Sequence, residues 1–197
     1  MTDEKGYTKF GFDWIKEKPI SPEIIKDING VRQVLYDKGL IGMYDSWIGF
    51  GNVSVRAGDG FLITGSATGG IEKLANRYYT LITEYDYYKN WLRCVGPIKA
   101  SSESLTHAAI YECSPKTNAV LHIHNLEFWE RLLDKVPTTR KAVEYGTPEM
   151  AEEIFRLFKE TDVNHNKILV MGGHKEGIIS FGRTPKKARD VLLNKFR

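Results

Sequence analysis

The sequence predicts a mixed α/β domain with a central sheet that is mostly antiparallel or mixed. Segments typical of strands and of helices alternate along the chain, and several strand pairs are separated by short hairpin turns such as Gly58-Asp59-Gly60. The chain has 197 residues, an ordinary length for one domain. It contains no internal repeat and no linker rich in Pro, Gly or Ser. We therefore expect a single domain over residues 1–197 with its core at about residues 21–195.

The first predicted helix runs from Ser21 to Lys38. Ser21 is a candidate N-cap, Pro22 takes the first helical position, and Gly39 follows as a stop signal. An apolar stripe on this helix consists of Ile24, Ile25, Ile28, Val31 and Leu35. Another helix is expected to start near Ser101-Ser102 and to continue to Tyr111. Three more helices are expected to begin after Asn125, Thr147 and Thr184.

The predicted strands are short apolar runs, most of them bounded by glycine or polar residues. In chain order they are Asn52 to Arg56, Phe61 to Thr64, Leu81 to Tyr85, Trp91 to Val95, Ala119 to His124, Lys167 to Met171 and Gly177 to Phe181. A loop rich in glycine and hydroxyl groups, residues 64–70, follows the second of these strands.

Composition and charge exclude several classes of protein. Hydrophobic residues make up 42% of the chain and charged residues 27%, values that exclude disordered and collagen-like proteins. No run approaches the roughly 18 apolar residues of a membrane span, and the charged start lacks the apolar segment of a signal peptide. The net charge of +3 is diffuse except near the C-terminus, where it favours a solvated helix face over a nucleic-acid interface.

The cysteines indicate a reducing compartment. Cys94 and Cys113 are far apart in sequence and lack the spacing of a metal or redox motif. A disulfide framework is therefore not expected. We expect a cytoplasmic protein that contacts neither membrane nor nucleic acid.

The sequence Val120-Leu121-His122-Ile123-His124 is the most informative chemical feature. On a strand, His122 and His124 would project from the same face, while Leu121 and Ile123 would face the opposite, packed side. Adjacent imidazoles repel each other when protonated and are costly to bury without partners. A divalent cation resolves both problems by accepting a lone pair from each ring. The alternative is that backbone groups or water satisfy both rings at a strand end.

Among the three remaining histidines, His174 is the best placed to be a third ligand. It follows a β-rich run and two glycines, where backbone can approach a site closely. His107 lies in a predicted helix and is more typical of a packing or hydrogen-bonding residue, and His165 lies in a polar turn. Three histidine ligands would leave coordination positions open, as in a catalytic metal site.

Ser101-Ser102-Glu103 is a second candidate feature. Serine hydroxyls and exposed N–H groups at a helix start suit a phosphate, and Glu103 could act as a general acid or base near a metal. An ordinary N-capped helix with a carboxylate in its first turn is the alternative, and for this motif alone it is favoured. The loop 64–70 is similarly open to two interpretations, a simple chain reversal or an anion cradle.

The order of these motifs resembles the class II aldolase/adducin family of metal-dependent sugar-phosphate aldolases. The matching segments are Gly51 to Arg56, Thr64 to Gly69, Ser101-Ser102-Glu103 with His107, His122 to His124, Tyr145 to Thr147, and His174. Together they span most of the chain, roughly residues 24–182. The combined order is far more specific than any single segment.

The resemblance implies a fold, a metal site and a substrate pocket. The fold would be a three-layer α/β/α domain, and the enzyme would be a homotetramer with active sites between subunits. Zn²⁺, or another divalent transition metal, would be bound by His122, His124 and His174, and Glu103 would complete the shell or act as acid/base. The phosphate of the sugar substrate would be bound by Asn52, Ser66, Thr68, Gly69, Ser101 and Ser102.

The implied activity is that of a zinc-dependent aldolase, a carbon–carbon lyase that cleaves a phosphorylated ketose to dihydroxyacetone phosphate and an aldehyde. Three features depart from the family pattern. Lys175 follows His174 where family aldolases usually have glycine, no tyrosine lies between His124 and Tyr145, and the basic C-terminal helix has no tyrosine and no obvious catalytic acid. The sequence therefore assigns no proton donor to the leaving aldehyde.

Two alternatives to the aldolase remain. A dehydratase of the methylthioribulose-phosphate type would keep the histidines and the glutamate. A non-catalytic module like the adducin head would keep the fold without metal, but three retained histidines and Glu103 argue against it. Epimerases of the family tend to have aspartate at the position of Glu103 and a C-terminal tyrosine, which argues against epimerisation.

Overall fold

A computed structural model describes residues 10–196, in which an eight-stranded sheet lies between two layers of helices. The strands in this range are β1 (Gly11–Lys16), β2 (Gly42–Met43), β3 (Gly49–Phe50), β4 (Asn52–Ala57), β5 (Gly60–Thr64), β6 (Tyr79–Asp86), β7 (Trp91–Gly96), β8 (Ala119–His124), β9 (Ile168–Val170) and β10 (Gly177–Gly182). The α-helices are α1 (Pro22–Asp37), α2 (Ser104–Cys113), α3 (Leu126–Leu132), α4 (Pro148–Glu160), α5 (Val163–Asn166) and α6 (Pro185–Phe196).

The sheet is mixed but mostly antiparallel, as the sequence predicts. Its strand order is β1-β7-β6-β5-β4-β8-β10-β9, and within the described residues the pair β1–β7 is parallel and the other neighbours are antiparallel. Strand β8 lies near the middle, between β4 and β10. Strands β2 and β3 form a separate small hairpin beside the main sheet.

Two apolar cores, one on each face of the sheet, establish the three-layer α/β/α arrangement. One core packs α2 and α4 against the sheet, and the other packs α1, α3 and α6 against the opposite face. Strand β8 contributes to both, because Val120 faces the first core while Leu121 and Ile123 face the second. Burial on both faces fixes the register of β8 and hence the direction of its side chains.

Of the two predicted helix caps, Ser21 and Asn125, the structure confirms Asn125. Helix α1 begins at Pro22, and four of the five residues in its predicted stripe are buried, whereas Ile24 is 55% exposed. The Ser21 hydroxyl donates to the carboxylate of Glu23 and does not cap a backbone N–H. Asn125 caps α3 as predicted, and its side-chain oxygen accepts a hydrogen bond of 2.9 Å from the N–H of Phe128.

Four features differ from the sequence expectations. Strand β1 joins the sheet before residue 21, so the core starts earlier than expected, and the hairpin β2–β3 was not predicted. Helix α2 begins at Ser104, because Ser101 closes a turn in which its carbonyl accepts from the N–H and the hydroxyl of Ser104. His165 lies in the short helix α5 and not in a turn, although it is exposed as expected.

The cysteines and the C-terminal helix agree with the sequence analysis. Cys94 and Cys113 are both free, and Cys94 is buried in the core. Within residues 10–196 no helix combines the length and the apolar character that crossing a bilayer requires. The basic C-terminal segment forms α6, which packs on the sheet through Ala188 and Leu192.

Candidate metal centre

His122 and His124 project together from one face of β8. Their ring centroids are 4.8 Å apart. Leu121, which precedes His122, and Ile123, which lies between the two histidines, face the second core. The alternation predicted from the sequence is therefore present. Because β8 is a central strand, both imidazoles are buried.

His174 joins these two rings from the loop between β9 and β10. Its ring centroid lies 5.4 Å from that of His122 and 4.7 Å from that of His124. One candidate ligand atom from each of the three histidines lies within 4.8 Å of the others. His107 lies instead in α2, where Nδ1 is 2.7 Å from the hydroxyl oxygen of Ser54, so it is a buried hydrogen-bonding residue.

The chemistry of the three histidines fits a divalent cation. His122 is buried, and its Nε2 has no hydrogen-bond partner among the described residues. Burial, followed by the neighbouring imidazoles of His124 and His174, holds the pKa of His122 well below its ordinary value. The ring is therefore neutral at physiological pH, which is the form that ligates a metal. A cation would supply the partner that a buried nitrogen otherwise lacks.

Asn52 lies directly opposite His122 in the register of β4 and β8. Its amide nitrogen is 3.4 Å from Nδ1 of His122, and its buried Oδ1 has no hydrogen-bond partner among the described residues. The amide turned through 180° would let Oδ1 accept from Nδ1–H, which would leave the lone pair of His122 on Nε2. The side chain of Asn52 thus contacts a candidate metal ligand, and it is also one of the residues predicted to bind the substrate phosphate.

Glu103 brings a buried carboxylate to the same cluster. Its Oε1 lies 3.8 Å from Nε2 of His174, and the side chain is almost inaccessible to solvent. Glu103 immediately precedes α2, and its carbonyl accepts the N–H of His107. The carboxylate is thus near enough to the three imidazoles to ligate a shared cation or to exchange a proton with a molecule bound there.

The six phosphate candidates are distributed over adjoining segments. Ser66 lies beside the segment that precedes α2, because Gly65 and Ala100 form an antiparallel bridge. Ser101 and Ser102 follow that bridge and lead directly to Glu103. The N–H of Ser66 donates to the carbonyl of Lys99, and that of Gly65 donates to the carbonyl of Tyr78, so a phosphate here would be bound by the Ser66 side chain and not by these two N–H groups.

Thr68 and Gly69 are held by α1 and by the small hairpin. The buried guanidinium of Arg32 donates to the carbonyls of Thr68, Gly69 and Glu72 at 3.3, 2.8 and 2.7 Å. The Thr68 hydroxyl donates to the carbonyl of Gly65 at 2.8 Å. A Cβ on Gly69 would lie 2.5 Å from the carbonyl oxygen of Gly42, so this position admits only glycine.

The structure also brings aromatic and acidic residues to the cluster that the sequence analysis did not assign to the site. Tyr44 contacts both His124 and Glu176 through its hydroxyl, and the ring of Phe50 stacks on that of His124. Burial, followed by the hydrogen bond and charge of Glu176, raises the pKa of Tyr44 well above its ordinary value. The ring of Tyr145 lies 4.3 Å from that of His174. The Tyr145-Gly146-Thr147 motif was a signal for Tyr145, but no local pattern pairs Tyr44 with Glu176.

Comparison with known proteins indicates which family the chain resembles. Residues 42–128 match the family model of the Class II Aldolase and Adducin N-terminal domain, a range that includes Glu103, His122 and His124. The chain therefore resembles the class II aldolase and adducin family, as the order of motifs predicts. A comparison with curated proteins gives no match.

Solved structures show the same fold. L-fuculose-1-phosphate aldolase from Thermus thermophilus is 22% identical, with a TM-score of 0.60 over 85% of this chain and 86% of that one. A sugar-phosphate aldolase from Thermotoga maritima is 18% identical, with a TM-score of 0.60 over 88% and 95%. YgbL from Klebsiella pneumoniae, a candidate aldolase/epimerase/decarboxylase, is 15% identical, with a TM-score of 0.65 over 89% and 86%. At these identities the likeness establishes the class II aldolase fold and not an activity.

Proposed function

We propose that this protein is a metal-dependent lyase that cleaves a phosphorylated ketose by a retro-aldol reaction to dihydroxyacetone phosphate and an aldehyde. The observation that carries the proposal is the buried cluster of His122, His124 and His174 with the carboxylate of Glu103 beside it. The fold and the family match support the same class of chemistry.

The three histidines are the proposed ligands, and Zn²⁺ is the proposed ion because neutral imidazoles suit it. When bound, such a cation polarises a carbonyl and stabilises the negative charge of an enediolate. Three protein ligands leave room for substrate oxygens. This arrangement suits bond cleavage next to a carbonyl, where the developing charge needs a fixed positive partner.

Glu103 is the proposed acid/base. Its carboxylate is buried beside the histidines and would take a proton from a substrate hydroxyl or return one to a carbon of the three-carbon product. Tyr145, in ring contact with His174, adds a hydroxyl-bearing side chain to the same region. In cleavage the hydroxyl that becomes the aldehyde carbonyl loses its proton, and we propose Tyr145 as the first residue to test as the group that exchanges this proton.

The phosphate group would be bound by hydroxyl, amide and backbone groups around the cluster. The proposed residues are Asn52, Ser66, Thr68, Gly69, Ser101 and Ser102. Ser101 and Ser102 lead directly into Glu103, so a phosphate bound there would hold the reacting carbons in register with the carboxylate. We propose that the enzyme works as a cytoplasmic homotetramer on a small phosphorylated sugar.

The deciding experiment is elemental analysis of the purified protein followed by assays of ketose 1-phosphates for triose-phosphate release. The proposal predicts one equivalent of a divalent metal per chain and metal-dependent release of dihydroxyacetone phosphate. Metal with loss of water, and without triose release, would identify a dehydratase. A chain without metal or turnover would identify an interaction module.

A matched pair of histidine variants makes this experiment specific. His122→Ala should remove both the bound metal and the activity, because it deletes a buried ligand. His165→Ala, on the exposed helix α5, should retain both. Equal metal content in the two variants would contradict the proposed ligand set.

A further inference from the structure

Two loops that are distant in sequence meet at the Nδ1 side of the His124 ring. Tyr44 begins the turn of the hairpin β2–β3, and its hydroxyl oxygen lies 2.7 Å from Nδ1 of His124. The same hydroxyl lies 2.6 Å from Oε2 of Glu176, in the loop that carries His174. The three groups therefore form a continuous chain of short hydrogen bonds.

The protons in this chain have a fixed direction. The hydroxyl of Tyr44 has a single proton, and it donates that proton to Oε2 of Glu176. The hydroxyl oxygen is then left to accept, and its other partner, Nδ1 of His124, must carry the hydrogen. A neutral imidazole with hydrogen on Nδ1 has its lone pair on Nε2.

We propose that Tyr44 and Glu176 are positioning residues that hold His124 as the Nδ1–H tautomer, with the Nε2 lone pair available to a cation. This inference rests on the metal site of the proposed function and adds to it a device that orients one ligand. Hydrogen bonds of this kind, from a ligand imidazole to a carboxylate or through an intervening group, fix both tautomer and ring orientation.

The surroundings of the pair indicate that its geometry is held by the fold. The ring of Phe50 lies 4.5 Å from that of Tyr44 and stacks on His124 at 5.5 Å and 20°. The carbonyl of Glu176 accepts the N–H of Asn125, the residue after His124, at 3.1 Å. Glu176 has a φ of 74°, a conformation that a side-chain-bearing residue rarely adopts. A non-glycine residue is kept in this conformation only where the surrounding structure determines it.

The direct test is the tautomer of His124 in the metal-free protein, read from the ¹⁵N chemical shifts and two-bond couplings of its ring by NMR near pH 8. In the wild type we expect Nδ1 to carry the hydrogen. Tyr44→Phe keeps the ring on Phe50 but removes the hydroxyl, so we expect His124 to become a mixture of tautomers or to change to Nε2–H. This readout needs neither metal nor substrate.

The second test is the affinity for Co²⁺ alone, measured by absorbance titration of the metal-free protein. Tyr44→Phe and Glu176→Gly should each weaken Co²⁺ binding by about 10-fold or more. Glycine suits the backbone conformation at position 176, so Glu176→Gly removes the carboxylate without threatening the fold. Tyr88→Phe, at a fully solvated tyrosine, is the control and should bind Co²⁺ as the wild type does.

The outcomes separate this inference from the proposed function. In a double-mutant cycle, Tyr44→Phe should add nothing to the loss of affinity in His124→Ala, because it acts through that ring. A wild-type His124 with hydrogen on Nε2, or a Tyr44→Phe variant that binds Co²⁺ within twofold of the wild type, would overturn the inference. A wild type that binds no Co²⁺ would contradict the metal-dependent function, and the tautomer would then decide the inference by itself.

Discussion

Oε1 of Glu103 lies 3.8 Å from Nε2 of His174, although the two residues are far apart in sequence. Glu103 immediately precedes α2, and His174 lies in the loop before β10. The contact leaves two roles for Glu103, a metal ligand or a group that moves protons. Glu103→Gln separates them, because the amide keeps the size of the side chain but cannot accept a proton. We expect the variant to retain its metal and to lose about 100-fold or more in kcat.

The measurement for Glu103→Gln is kcat together with metal content on the same sample. Asp162→Asn, at an exposed position before α5, is a matched carboxylate-to-amide control and should have wild-type values for both. Loss of metal in Glu103→Gln would make Glu103 a ligand, and full activity would remove it from the reaction.

The sequence predicts those helices and strands whose pattern or cap lies within the element itself or next to it. Strand β8 could be predicted because alternation places His122 and His124 on one face, and α3 because Asn125 is a strong cap. Strand β1 was missed because its pairing with β7 is parallel and depends on residues far along the chain. Parallel pairing leaves no turn signal next to the strand.

The candidate site could be predicted only in part, for the same reason. His174 was found because two glycines precede it, and Glu103 because it follows the paired serines. Tyr44 and Glu176 were missed because each lies in a short loop of ordinary composition, and only the folded chain brings them to His124. Side chains that contact a metal ligand, and not the metal, form no sequence motif with a fixed spacing that could be recognised.

Arg32 should control the loop that carries Thr68 and Gly69. Its guanidinium is buried and donates to three carbonyls of that segment. Arg32→Leu would leave these acceptors without their donors, so we expect the free energy of unfolding to fall by about 2–4 kcal/mol. If the loop binds phosphate, KM for the phosphorylated substrate should rise as well.

Chemical denaturation and steady-state kinetics measure the two effects of Arg32→Leu. Arg32→Lys should recover only part of the stability, since an ammonium cannot reach three carbonyls in one plane. Arg77→Leu, at an exposed arginine, is the control for lost charge. A stable variant with an unchanged KM would exclude this role for Arg32.

The buried histidine His107 should make the fold sensitive to acid. Burial lowers the pKa of His107 from 6.5 to about 3. At a pH between these two values, the histidine is protonated in the unfolded chain but not in the native chain. Stability therefore decreases as the pH falls from about 6.5 towards 3, by up to about 1.4 kcal/mol per pH unit for this group. His107→Gln should show a shallower decrease.

Urea denaturation of both proteins at several pH values, in the presence of a chelator, measures the slopes. His122 has a lowered pKa for the same main reason, burial, and the charge interaction with His107 is the smallest cause of its shift, so most of the difference in slope belongs to His107. Parallel curves for wild type and His107→Gln would show that His107 does not titrate in this range.

Gly177 should be required for the geometry of the cluster. A Cβ at this position would lie 2.7 Å from Cδ2 of His174 and 3.2 Å from Nε2 of His122, so Gly177→Ala must displace at least one of these rings. We expect Co²⁺ affinity to fall by about 10-fold or more, with about 1–3 kcal/mol lost from stability through overpacking. Gly30→Ala is the matched control, because Gly30 is an exposed residue of α1 whose added Cβ would meet nothing within 4 Å. Gly30→Ala should stabilise the fold by about 0.5–1 kcal/mol and leave Co²⁺ binding unchanged. Equal Co²⁺ affinity in the two alanine variants would show that the ligand rings tolerate displacement.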